Sequence, residues 1–427
     1  MSALVNNVNY TPKMPSVKSR NLTISVQPSN GATFNASNQQ IHLDIPTGQY
    51  GQYLNQAASY LKFTITNNTS GQSLTLERDC SALFSRLTIS HSAGILEDIS
   101  EYNVLYRLLN DCQVSSQEQL TVGSNTVLHS EGTVGAGAPT YGATALASGA
   151  SATVCMPLLS GIVGPQCPKY CPIGAMGNGG NLRVTLTLDN LNNVGITGDG
   201  STAAALTLSD VELVCSVVEI DSAGQQMVEA SSAGMYAISS TGYRNYTATA
   251  GGNGENSVSL LVPAKASSMK SLFTVLRPTA HINTVAQFGI GCRDRADMTE
   301  FHLSVGGVRY PAGKPVKAQG GNAFQELMKC FNGISNLHQR FDFGRTRYEL
   351  TTSTANTTAI STKGAFVAGI ELESYGNDGI ESGLNTLGSN MFFNADFDTI
   401  TESCQFSFFS MYDSLITVEN GIMAVKF

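Results

Sequence analysis

Zinc hydrolysis by a helix-borne site needs two histidines one turn apart, and this chain has no such pair. His42, His91, His129, His281, His302 and His338 are separated by 21 residues or more. Cys167 and Cys171 flank Pro-Lys-Tyr, one residue wider than C-x-x-C and without a second pair, so a Pro-rich loop is expected there rather than ligation or a disulfide. Asp294, Asp297 and Glu300 would converge on a cation only if their segment curled. A solvated loop leading into a strand is the simpler reading. Gly313-Lys314 is followed by Pro315 instead of Ser or Thr, and Gly251–Gly254 lacks the G-x-G-x-x-G spacing, so neither is a phosphate loop. Arg340, Arg345 and Arg347 interleave with Phe341, Phe343 and Tyr348, a pattern suited to stacking on nucleic-acid bases. The same alternation makes a strand with its apolar face inward, and that reading is preferred. The last cationic feature is residues 1–20, which lack periodicity and carry Lys13, Lys18 and Arg20 with no acid before Asp44. They read as a flexible contact arm, ordered by packing on a neighbour. No catalytic, cofactor-binding or metal-binding constellation emerges.

The elements that would carry these residues follow from composition. The chain has 427 residues, of which 42% are apolar and only 13% charged, with 42 glycines and no Trp. Low charge with abundant Gly, Ser, Thr and Asn leans toward an all-β protein with many turns. A net charge of −8 excludes a generic nucleic-acid binder. Nine dispersed cysteines, an odd number, read as buried free thiols in a reducing compartment. No apolar run follows the first residues as in a signal peptide, and none approaches the length of a membrane helix.

Period-two alternation predicts strands at Leu22–Val26, Ile41–Ile45, Ser59–Thr66, Phe84–Ser90, Ala152–Leu159, Leu182–Leu188 and Leu206–Ile220. It predicts more at Val258–Val262, Ser268–Leu276, Phe301–Val305, Ala365–Leu372 and Cys404–Phe409, then a terminal hairpin turning at Asn420-Gly421. Helices are predicted over residues 98–112, with Asp98 and Glu101 as a capping box, and near Ala323–Phe331.

An internal repeat organises these elements. Pro46 and Pro263 close similar apolar runs 217 residues apart, and Phe84 and Phe301 open similar strands at the same offset. Ser59 and Ser268 are 209 apart, and Cys112 and Cys330, at the ends of the two helices, 218. Two copies of one domain of about 200 residues follow, each larger than an immunoglobulin-type sandwich of roughly 100 residues. Two tandem eight-stranded jelly rolls with short helices in inter-strand loops fit best. The boundaries read as an arm over 1–20, a first jelly roll over 21–222 and a second over 223–427.

With that frame, Leu43–Phe63, Pro157–Gly164, Glu300–Pro311 and Asp413–Phe427 resemble the double jelly-roll major capsid proteins of tailless icosahedral double-stranded DNA viruses, of polinton-like virus and virophage type. The resemblance implies a homotrimeric, pseudo-hexagonal capsomer that tiles an icosahedral shell beside neighbouring capsomers and minor or penton capsid proteins. It implies a virion component assembled inside the host cell, without enzymatic activity, cofactor or small-molecule substrate. It also gives the arm with Lys13, Lys18 and Arg20 a role in contacting the genome or an internal membrane. The alternatives are a tandem jelly-roll binding or adhesion protein, disfavoured by the lack of Trp for sugar stacking, and a minor capsid protein, which usually needs one jelly roll.

Overall fold

Alternating side chains put one face of every strand on a core. The computed structural model realises that pattern twice along the chain. It describes residues 17–77, 79–92, 94–114, 145–252, 254–285, 287–331, 341–356, 360–375 and 382–427. In the first half the strands are β1 (Ser19–Val26), β2 (Gln40–Ile45), β3 (Gln52–Asn67), β4 (Leu74–Leu76), β5 (Phe84–His91), β6 (Gly94–Ser100), β7 (Ser151–Met156), β8 (Leu182–Leu188), β9 (Gly195–Thr197) and β10 (Leu206–Ile220). Eight of them form two antiparallel sheets, ordered β1-β10-β3-β7 and β2-β8-β5-β6, while β4 pairs with β9.

The second half holds β11 (Tyr236–Gly251), β12 (Glu255–Val262), β13 (Met269–Pro278), β14 (Met298–Val305), β15 (Val308–Tyr310), β16 (Val316–Lys317), β17 (Ala368–Glu371), β18 (Met391–Ile400), β19 (Ser403–Glu419) and β20 (Ile422–Lys426). Its sheets run β11-β19-β13-β17 and β12-β18-β14-β15, the same order as in the first half, with β16 added on β14 and β20 on β19. Two facing four-stranded sheets whose neighbours are distant in sequence define a jelly roll, so the fold is a double jelly roll. Two pairs of repeat landmarks occupy equivalent places: Ile45 and Val262 end β2 and β12, and Cys112 and Cys330 lie at the ends of helices α1 (Tyr102–Gln113) and α3 (Asn322–Lys329). Phe84 and Phe301 lie in the equivalent strands β5 and β14 but three residues apart in register, since Phe84 pairs with Leu188 whereas Met298 pairs with the equivalent Phe397. Between the halves lies α2 (Ser222–Ser232).

Three expectations need correction. Residues 98–100 belong to β6, and no capping box forms. Glu101 sits at φ 48° without a side-chain cap, while Asp98 faces β5 and bonds Arg86 at 2.6 Å. The 341–348 part of the predicted strand is not a strand, because Arg345–Tyr348 forms a short helix, α4. Its rings are drawn instead into a cluster in which Phe324 lies 5.6 Å from Phe341 and 5.1 Å from Tyr348. Finally, β1 starts at Ser19, so Arg20 is a sheet residue paired with Glu219 rather than part of an arm. Helix α2 carried no sequence signal, since only Gly224 and Gln225 of its residues are buried. Its local cause is the Asp221 carboxylate, which accepts the Gly224 N–H at 2.8 Å.

Nearly all the buried apolar residues of both halves merge into one cluster, Phe288, Cys292 and Ala355 forming a small separate one. Phe63 and Phe84 meet edge to face in the first half, and Phe393 joins Phe301, Phe406 and Phe408 in the second. The β19–β20 hairpin turns at Asn420 (φ 53°) and Gly421 (φ 80°), the two left-handed positions of a type I′ turn. A Cβ on Gly421 would also lie 2.7 Å from the Cβ of Asn178 in the first half. Gly421→Ala is therefore expected to cost about 1–2 kcal/mol, read as a lower urea midpoint.

Candidate assembly site at the seam between the two jelly rolls

Helix α1 brings charge into the seam. Its Arg107 and Asp111, one turn apart, lie 2.5 Å from each other and are almost fully buried. From the segment between β13 and β14, Arg293 reaches Asp111 at 2.6 Å with its own side chain only 1% exposed. Asp342 stands 4.0 Å from Arg107, and its backbone N–H donates to the Asp111 carbonyl at 2.8 Å. Buried ions are tolerated in such a place because each cation meets a carboxylate at hydrogen-bond distance.

Two further carboxylates clamp the halves together. Glu77, following β4, accepts the backbone N–H of Ile290 at 3.0 Å and that of Gly291. Glu101, at the start of α1, accepts from Arg277 of β13 at 2.5 Å and from Gln405 of β19. Ser100 donates to Asn245 of β11 at 3.1 Å, and Ser240 of β11 donates to the Gly161 carbonyl at 2.6 Å. At one end of the seam the β19–β20 turn is held by the first half. The Met423 N–H donates to His91 Nδ1 at 3.2 Å, and Asn178 donates to the Asn420 carbonyl at 2.8 Å.

The Pro157–Gly164 segment is pinned by Glu97 of β6. That carboxylate accepts from the Ser160 hydroxyl and from the Gly161 N–H at 3.1 Å. Ser160 Oγ in turn accepts the N–H groups of Ile162 and Val163 at 3.0 and 3.1 Å. Burial pushes the Glu97 carboxyl up to about 7, against the opposing pull of these two donors.

The residues singled out in the sequence lie elsewhere. Lys13 and Arg340 fall outside the described residues. The Lys18 carbonyl accepts the Asp221 N–H at 3.0 Å, and the Arg20 guanidinium holds both Glu219 oxygens, at 2.9 and 3.1 Å. Cys171 is buried, while Cys167 faces the Lys169 carbonyl. Asp294, Asp297 and Glu300 are not brought together as a metal site. Asp294 is buried against Ser353 with its carboxyl pushed up to about 6, Asp297 lies near Arg295, and Glu300 pairs across to Asp396 and Lys317. Among the described residues no group of three His, Cys, Asp or Glu could hold a metal ion. The seam carboxylates escaped sequence reading. The one available signal was a charge within an otherwise apolar run, as with Arg277 at the end of Met269–Pro278 and Asp111 in α1.

In fold the chain is similar to a chain of the PBCV-1 virus capsid, with a TM-score of 0.64 and 9% identity over 98% of each. It is similar over its whole length to a chain of the Sputnik virophage structure, covering 92% of that chain at a TM-score of 0.59 and 11% identity. Over its whole length it is also similar to the mavirus major capsid protein, covering 93% of it at a TM-score of 0.55 and 12% identity. No family model matches the sequence, and no curated protein matches it.

Proposed function

We propose that the protein is the major capsid protein of a tailless icosahedral double-stranded DNA virus, of polinton-like virus or virophage type, and that its work is assembly rather than catalysis. The observation that carries this reading is the sheet order repeated in both halves, in a chain whose fold matches capsid chains along nearly its full length. Three copies of a two-barrel chain give six similar barrels around one axis, so a homotrimer presents a pseudo-hexagonal outline that packs into flat facets. The buried polar seam suits this role, because a fixed angle between the two barrels of one chain sets the angle at which copies meet.

The partners are then neighbouring capsomers and minor or penton capsid proteins, and the place of action is the virion. An interior contact with genome or membrane falls to Lys13 and Lys18 of the N-terminal segment, since Arg20 is already ion-paired. Light scattering on the purified protein is expected to give the mass of three chains, with hexagonal outlines in negative stain of the same peak. A compact monomer at every concentration would sink the reading.

A further inference from the structure

His91, at the end of β5, is buried where the C-terminal hairpin meets the first jelly roll, and both nitrogens of its ring are in use. Nε2 lies 3.1 Å from the Gly180 carbonyl and 3.3 Å from that of Met176, groups that can only accept. Nδ1 lies 3.2 Å from the backbone nitrogen of Met423 in β20, a group that can only donate. Carbonyls on one side and an N–H on the other select one form of the ring, the neutral Nε2–H tautomer. The ring is wedged against Gly179, where an added Cβ would collide with it, and the Gly179 carbonyl is itself tied to the Ser92 N–H at 3.1 Å. The neighbouring tie, from Asn178 to the Asn420 carbonyl at 2.8 Å, does not titrate.

The ionisable side chains on the elements around this ring are committed elsewhere. On β5 and β6, Arg86 and Asp98 pair with each other at 2.6 Å, and Glu97 holds Ser160 and Gly161. Arg183 of β8, level with Ser90, is held by Asp44 at 2.7 Å. On the β19–β20 hairpin, Glu419 and Lys426 are exposed to solvent. The 176–180 segment carries no ionisable residue. Among the described residues no carboxylate bonds to the ring, so a charge placed on it would meet only neutral backbone groups.

We propose that His91 is an acid-sensitive latch between the two jelly rolls, which lets go of the β19–β20 turn when its ring takes up a proton. The imidazolium carries N–H on both nitrogens. A proton at Nδ1 therefore occupies the lone pair that accepts the Met423 N–H, and sets one donor against another. Histidine is the side chain that ordinarily changes charge between about pH 5 and 8. Glu97 acts in the opposite sense over the same range, stabilising the chain as it gains its own proton. The latch accordingly opens locally, while the barrels on either side stay folded. It is a property of the single chain and stands whether or not three chains form a capsomer.

Hydrogen exchange of the full chain, read by mass spectrometry on short C-terminal peptides, follows the Met423 amide after correction for the intrinsic pH dependence of exchange. A proton bound only in the open form, at the ordinary histidine value of about 6.5, raises the open fraction about tenfold between about pH 7.5 and about pH 5.5. Wild type is expected to lose protection at Met423 by that factor, with the amides of the β3–β10 ladder unchanged. His91→Gln places a side-chain amide there, able to accept from Met423 and donate to Gly180 at either pH, and is expected to keep its protection throughout. A wild-type amide equally protected at both pH values overturns the latch. An equal acid loss in His91→Gln overturns it as well. Should that variant fail to fold, the wild-type profile decides alone.

Discussion

Asp111→Ala is expected to destabilise the protein by about 3–5 kcal/mol, the range seen when one partner of a buried ion pair is removed. Asp111 is the anion between two cations from different jelly rolls, Arg107 at 2.5 Å and Arg293 at 2.6 Å. Its loss removes the carboxylate that the two buried guanidiniums share, while Asp342 stands 4.0 Å from Arg107. Arg293→Met should cost less, because Asp111 keeps Arg107. Combining Arg293→Met with Asp111→Leu should recover part of the loss, since a well-packed apolar pair can replace a buried ion pair. Urea midpoints at one fixed protein concentration measure all three, the slope serving as the control for an unchanged folded state. A cost for Asp111→Ala below about 1 kcal/mol would mean that the seam is wet and its charges screened.

The legible part of the fold was the part governed by local periodicity. Leu22–Val26, Ile41–Ile45 and Leu182–Leu188 alternate because one face is wet and the other is core, so sequence and sheet agree. The repeat was legible for the same reason, since both copies must satisfy one sheet order. Where local pattern and tertiary packing compete, packing prevails. Asp98 and Glu101 have the spacing of a capping box, but Arg86 across the strand pair offers Asp98 a bidentate partner, and β6 runs on to Ser100. The residues from Phe341 to Tyr348 alternate like a strand, yet their rings join Phe324 and Phe366, contributed by distant segments.

The seam was illegible for a more general reason. Glu101 and Arg277 are 176 residues apart, and Asp111 and Arg293 are 182 apart, so no spacing rule links them. Single charges in apolar runs mark such pairs only by their oddity. The cationic segment near the N-terminus was the opposite case. Arg20 stands out in the sequence as a free cation, but the sheet uses it locally through Glu219, whereas Lys18, just before β1, engages only its backbone carbonyl.

Stability is expected to fall as pH rises from about 5 to about 8, and Glu97 is the main cause. Its carboxyl, at about 7 in the folded chain against an ordinary 4.5, binds a proton more tightly folded than unfolded. The stabilisation is complete below the unfolded value and is lost as pH climbs through the folded one, a change of about 3 kcal/mol. Asp294, pushed up to about 6 by burial, adds to the loss in the same direction. Asp44, Asp98 and Glu212 are held below their ordinary values by Arg183, Arg86 and Lys62, so their effect has the opposite sign and falls at lower pH. The titratable groups around Glu97 are Tyr102, Tyr243, Tyr412 and Cys167, all pushed upward by burial and silent in this window. Glu97→Gln keeps the shape of the protonated acid and should flatten the profile, with the difference from wild type appearing only between pH 5 and 8. Urea midpoints at the two ends of that range decide the matter. Equal slopes for the two proteins would mean that water reaches the carboxylate and that the Pro157–Gly164 segment is held by Ser160 and Ser240 without it.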